Sequence, residues 1–158
     1  MITTYWILAY TIAVLVGVQA ASHAWASAGI GLFIANGGVV DKSMMEDTGG
    51  PLPFPEVVGI IVHGINGGMI IPAVALTLLV VSFFARVKGA VRWAVIVLVV
   101  VAIQITLGYE GHGLPLLALF HGLNALILFG CAIVAARVVR RPAVPAGSDA
   151  EASDLAKA

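Results

Sequence analysis

Four histidines, at positions 23, 63, 112 and 121, stand in an otherwise apolar chain, and two of them open the same short motif: His63-Gly64-Ile65-Asn66 and His121-Gly122-Leu123-Asn124. Imidazole is the side chain best suited to ligate a metal as a neutral group or to carry a proton near neutral pH. An ionisable residue in an apolar, membrane-length segment is costly and marks function by default. Two such residues at one depth on parallel helices supply what a bis-histidine haem requires, one axial nitrogen on each face of the ring. On that expectation His63 and His121 are the axial ligands of one haem b. Gly64 and Gly122 remove bulk so that a macrocycle can enter, and either Asn66 and Asn124 or Gln19 and Gln104 orient the imidazoles through hydrogen bonds.

The same residues have readings without haem. Glycine also serves close helix packing, and His, Asn and Gln hydrogen-bond between membrane helices with no cofactor present. A quinone or lipid pocket would use the same polar groups. His23 lies beside Trp25, and His112 follows Tyr109-Glu110, so both read as interface anchors, with Glu110 solvated. The single cysteine, Cys131, makes no CxxC pair and reads as packing.

What positions these residues is membrane-spanning helix. With 61% hydrophobic and 10% charged residues, the chain is far more apolar than a soluble domain, which carries about 25% charge. A transmembrane helix needs about 20 mostly apolar residues, and segments near 5–27, 57–85, 91–108 and 114–138 meet that test. Runs that are apolar at every position exclude the alternation of a barrel. The expected class is all-α, a four-transmembrane-helix bundle over 1–141, with a disordered, proline-punctuated tail over 142–158. The apolar run at the amino terminus begins without a preceding Lys or Arg and is too long for a signal segment, so it reads as a retained helix.

Six of the eight basic residues fall in two places, Arg86, Lys88 and Arg92 after the second helix and Arg137, Arg140 and Arg141 after the fourth. The positive-inside rule makes both places cytoplasmic, and with them both termini, in a plasma membrane. The loop over 36–56, with Asp41, Glu46, Asp47 and Glu56 against Lys42, then faces outward. The stretch 26–35 either extends the first helix or lies at the interface. Gly67-Gly68 and Pro72 predict a kink in the second helix.

The matched motifs make the chain two copies of one hairpin. Each histidine lies about seven residues into its helix, roughly 10 Å from the outer surface, and each partner helix carries one glutamine, Gln19 or Gln104. Two like-oriented hairpins are related by a pseudo-twofold along the membrane normal, which lets the histidines face each other. The rival class is a cofactor-free accessory subunit of a larger membrane transporter or respiratory complex, with Ala9, Ala13 and Gly17 as the face offered to the partner. Nothing in the charge pattern points to nucleic acid.

The elements Gln104-Ile105-Thr106-Leu107-Gly108, Leu114-Pro115 and His121, with the small residues of 26–31 ahead of a long loop and an early histidine in the first half, resemble a half-bundle of the heme A synthase family. The chain also resembles small four-helix membrane proteins of actinobacteria. The resemblance covers roughly residues 10 to 137 and implies a haem b between His63 and His121. It does not carry the family's catalysis: Ile60 stands at the position of the catalytic Glu, Gly64 at that of the adjacent Arg, and the outer cysteine pair is missing.

Overall fold

A computed structural model describes residues 1–41, 44 and 50–140. Among them are four long helices and no strand: α1 (Ile2–Ala35), α2 (Val57–Ala85), α3 (Ala90–Glu110) and α4 (Pro115–Arg140). Each is long and apolar enough to cross a membrane, and the chain is a multi-pass integral membrane protein. The expected tail from Pro142, and Lys42, Glu46 and Asp47 of the loop, lie outside the described residues.

The helices form a ring in chain order. α1 packs on α2 and α4, and α3 packs on α2 and α4, so α1 faces α3 and α2 faces α4 across the diagonals. Small residues make the close contacts, as expected where lipid removes most of the hydrophobic drive for helix association. Ala9, Ala75, Ala94, Ala132, Ala135 and Ala136 are all completely buried. The expectation that Ala9 and Ala13 face an outside partner is therefore corrected, because both pack inside this bundle. Gly17 remains exposed.

The hairpin repeat extends well beyond the histidine motif. The buried positions Tyr5, Ala9, Ile12 and Val16 of α1 match Ala90, Ala94, Val97 and Val101 of α3 at one constant shift, the shift that also matches Gln19 with Gln104. The matched residues Tyr5 and Ala90 meet: the buried Tyr5 hydroxyl donates to the Ala90 carbonyl at 2.9 Å.

α2 and α4 match at two shifts that differ by one residue. His63, Gly64 and Asn66 match His121, Gly122 and Asn124, but beyond them the buried Ile71, Ala75 and Leu78 match Leu128, Ala132 and Ala135 at a shift one shorter. The extra residue is absorbed in a π-helical turn, Asn66–Ile70, that interrupts α2 and has no counterpart in α4. Its cause is local. Pro72 has no N–H to give to the carbonyl one turn back, and Gly67-Gly68 make the widened turn inexpensive. The kink expected from these residues takes this form.

α1 is longer than the span 5–27 that hydropathy gives, because 26–35 continues the helix. At about 1.5 Å per residue its length exceeds the hydrocarbon thickness. The extension is held by the chain that enters α2: Gly29 lies against Glu56, and the Phe33 and Phe54 rings pack with centroids 5.1 Å apart. It stops in a Schellman cap, with Gly37 at φ +87 and its N–H given to the Ile34 carbonyl while Gly38 donates to Phe33. At the basic end a tight turn through Arg86 and Gly89, both at positive φ, joins α2 to α3. There the Arg140 guanidinium lies 5.0 Å over the Trp6 ring.

Candidate functional site

The repeat brings His63 and His121 together across the α2–α4 diagonal, with ring centroids 6.0 Å apart and planes at 51°. Each ring is anchored from the neighbouring helix in the same way. His63 Nδ1–H donates to the Gln19 carbonyl at 3.1 Å, and His121 Nδ1–H donates to the Gln104 carbonyl at 3.0 Å. A carbonyl oxygen only accepts, so both Nδ1 atoms carry the proton and both Nε2 atoms carry the lone pair. This is the tautomer of a metal-ligating histidine whose other nitrogen is fixed by a hydrogen bond.

The asparagines and glutamines are also paired identically. Asn66 Nδ2 donates to the Leu15 carbonyl at 2.9 Å and to Gln19 Oε1 at 3.0 Å. Asn124 Nδ2 donates to the Val100 carbonyl at 3.1 Å and to Gln104 Oε1 at 2.7 Å. The sequence leaves open whether the asparagines or the glutamines orient the imidazoles. In the structure the main chain of Gln19 and Gln104 does so, and the asparagines lock the glutamine side chains instead.

Two differences break the symmetry of this clasp. A Cβ at Gly67 would strike the Gln19 amide nitrogen, which rests there. α4 offers no such gap at the matched Ala125, and the Gln104 amide nitrogen lies 3.1 and 3.2 Å from the two ring nitrogens of His121. An atom equidistant from both cannot lie in the ring plane without striking the Cε1–H between them, so it stands over the imidazole face and leaves the in-plane Nε2 lone pair free. The second difference is His23. One helical turn beyond Gln19, it packs on His63 with ring centroids 5.0 Å apart, while its match in α3 is Gly108, where a Cβ would stand 3.0 Å from His121 Cε1.

His23 therefore belongs to the cluster while remaining exposed. The signal for it was the i, i+4 spacing from Gln19, which places both on one face of α1. His112 and Glu110 remain exposed near the α3–α4 turn, where His112 Nδ1 bonds the Tyr109 carbonyl at 3.1 Å. Cys131 is a half-buried free thiol packed against the core.

Two cavities flank the facing imidazoles, and they are copies under the same twofold. One, of about 560 Å³, lies between α1 and α4 and is lined by Gln19, Ala20, His23, Ala24, His121 and Gly122 among others. The other, of about 150 Å³, lies between α2 and α3 and is lined by His63, Gly64, Gln104, Ile105, Gly108 and Tyr109 among others. Where α1 has Ala20 and Ala24, α3 has Ile105 and Tyr109, and these larger side chains account for the smaller volume. Gly64 and Gly122 open onto this space: a Cβ at either would meet nothing within 4 Å. Their lack of a side chain is not used for close packing.

The larger cavity falls in the size range of small-molecule and cofactor sites, about 300–1,000 Å³, and has their usual make-up of apolar walls with a few convergent polar groups. The donor set fits a metal held between two imidazoles, and the glycine-walled space fits a flat macrocycle. Among the described residues no Lys or Arg lines either cavity. No group of three or more His, Cys, Asp or Glu able to hold a bare metal ion is present among the described residues. Asn66 Oδ1 is buried with no hydrogen-bond partner among them. Compared with protein-family models, curated proteins and solved structures, the chain matches none.

Proposed function

We propose that this is a membrane b-type cytochrome-like protein that binds one haem b between α2 and α4, with His63 and His121 as axial ligands, and that it works in electron transfer or haem handling. The observation that supports this most is the clasp itself. Two imidazoles face each other at 6.0 Å, each with Nδ1 tied to a main-chain carbonyl, so each Nε2 is left as a ligand. Repetition of the clasp at one depth is not required for packing, and the glycine-walled cavities give a macrocycle somewhere to lie. Such a haem supplies one-electron iron chemistry. The chain's part is to fix the ring tautomers, to set the ligands at one depth and to keep the site in apolar surroundings. By the positive-inside rule, the basic residues of the Arg86–Arg92 turn and of the end of α4 favour a plasma-membrane orientation with both termini cytoplasmic and the site near the outer face.

Protein purified in mild detergent should show a Soret band, with sharpened α and β bands on reduction. His63→Ala and His121→Ala should each lose the low-spin spectrum while the protein still inserts and folds. One observation favours a cofactor-free bundle: the Gln–Asn pairs close on themselves. A colourless wild-type protein with an intact fold that takes up no added haemin decides for that reading, and co-migration with a larger assembly then identifies an accessory subunit.

A further inference from the structure

The two flanking cavities are related by the repeat, yet one measures about 560 Å³ and the other about 150 Å³. In the α2–α3 seam Ile105 and Tyr109 fill the wall, and the Tyr109 hydroxyl stands 3.9 Å from where a Gly68 Cβ would be. In the α1–α4 seam the matched positions are Ala20 and Ala24, which are exposed, as are Gly17 and Gly122. A Cβ at Gly17 or Gly122 would meet nothing within 4 Å. Beside them Leu126 is 70% exposed. Every one of these seam residues is apolar and lies on a helix of membrane-crossing length, so the opening faces the bilayer. Its walls reach His23, His63 and His121.

We infer that the α1–α4 seam is a lateral door, through which a haem passes between the bilayer and the His63–His121 site. The protein is then a carrier that exchanges haem with the membrane, and not a cytochrome with a trapped cofactor. This rests on the haem reading above. Two independent features agree with it. The repeat supplies an internal control, since the same fold with Ile and Tyr at the matched positions has the smaller cavity. Among the described residues the cavity walls also hold no Lys or Arg to grip the carboxylates of the macrocycle, the pairing that would otherwise hold it.

The test copies the narrower seam onto the wider one. Ala20→Ile with Ala24→Tyr is made in the full chain, and haemin uptake by the apo-protein and haem loss to an excess of a high-affinity apo-acceptor are timed by the Soret band. Closing a door slows passage both ways, so uptake and loss should each fall by about tenfold or more. Uptake at the wild-type rate overturns the door, as does faster loss with unchanged uptake, which reports only a crowded site. Gly17→Leu, at a position with free space, is the second closing variant if the double change does not fold. A wild-type protein that forms no Soret band overturns the haem reading and the door with it. A wild-type band with exchange unaltered in the closed variants overturns the door alone.

Discussion

Asn124 donates to Gln104 Oε1 at 2.7 Å, and the same amide donates to the Val100 carbonyl one turn earlier in α3. The contact fixes the Gln104 side chain, while the Gln104 main chain fixes His121. Asn66 and Gln19 repeat the arrangement in the other hairpin. The two copies differ at the asparagine oxygens as well: Asn66 Oδ1 is buried and unpartnered, whereas Asn124 shows no such orphan.

Truncating the two asparagines should therefore have unequal costs. Asn124→Ala removes two good donations, and interhelical hydrogen bonds of this kind contribute about 0.6–2 kcal/mol each in membranes. Asn66→Ala removes two as well, but it also relieves a buried acceptor that pays its desolvation without return. The expected loss at Asn66 is smaller by up to about 1 kcal/mol. Reversible unfolding in mixed micelles measures both, and equal losses would show that the orphaned oxygen costs nothing.

Gln104→Leu separates the roles of side chain and main chain. The carbonyl that holds His121 Nδ1 survives the change, so the haem spectrum should persist. Stability should fall by about 1 kcal/mol, because Asn124 loses its acceptor. Disappearance of the low-spin spectrum in a folded Gln104→Leu protein would transfer the orienting role to the side-chain amide.

The glycines should divide into two kinds by substitution. A Cβ at Gly59 would strike the Ser22 carbonyl and also crowd Ala26. Gly59→Ala is thus expected to destabilise by about 1–3 kcal/mol through overpacking. Gly122→Ala meets nothing, and removing a helical glycine should stabilise by about 0.5–1 kcal/mol. Gly122→Phe should keep the fold yet occupy the space beside His121 and lower haem uptake. Thermal melts and haemin titration on the same samples give both readouts, and an unfolded Gly122→Ala would contradict the open space assigned there.

The histidine motif, the four spans and the paired glutamines were legible because each is carried by residue type at a fixed spacing. The place of His23 was not, although its spacing from Gln19 held the clue. Trp25 beside it suggested an interface, and only the continuation of α1 through 26–35 sets His23 well inside the helix. The unequal cavities were hidden for a different reason. They depend on comparing Ala20 and Ala24 with Ile105 and Tyr109, and that comparison needs the exact shift between hairpins. The pattern of buried residues supplies it, and hydropathy does not. The choice between asparagines and glutamines as the residues that orient the imidazoles was not legible, because it turns on the main-chain carbonyl that meets each Nδ1.

The one-residue surplus in α2 gives the sharpest test of the repeat. If the π turn at Asn66–Ile70 is an insertion into an ancestral α-helix, then deleting Gly68 together with Pro72→Ala should restore a continuous helix. Both flanks then keep their faces: His63 still meets Gln19, and Ile71, Ala75 and Leu78 still meet the core. Deleting Leu126 from α4, which has no surplus residue, instead rotates one flank by about 100° against the other. That carries Leu128, Ala132 and Ala135 off the core or His121 off Gln104. The α2 deletion should therefore fold as a monodisperse species in detergent, and the α4 deletion should aggregate. Equal tolerance of both deletions would mean that the π turn is not the register correction between the hairpins.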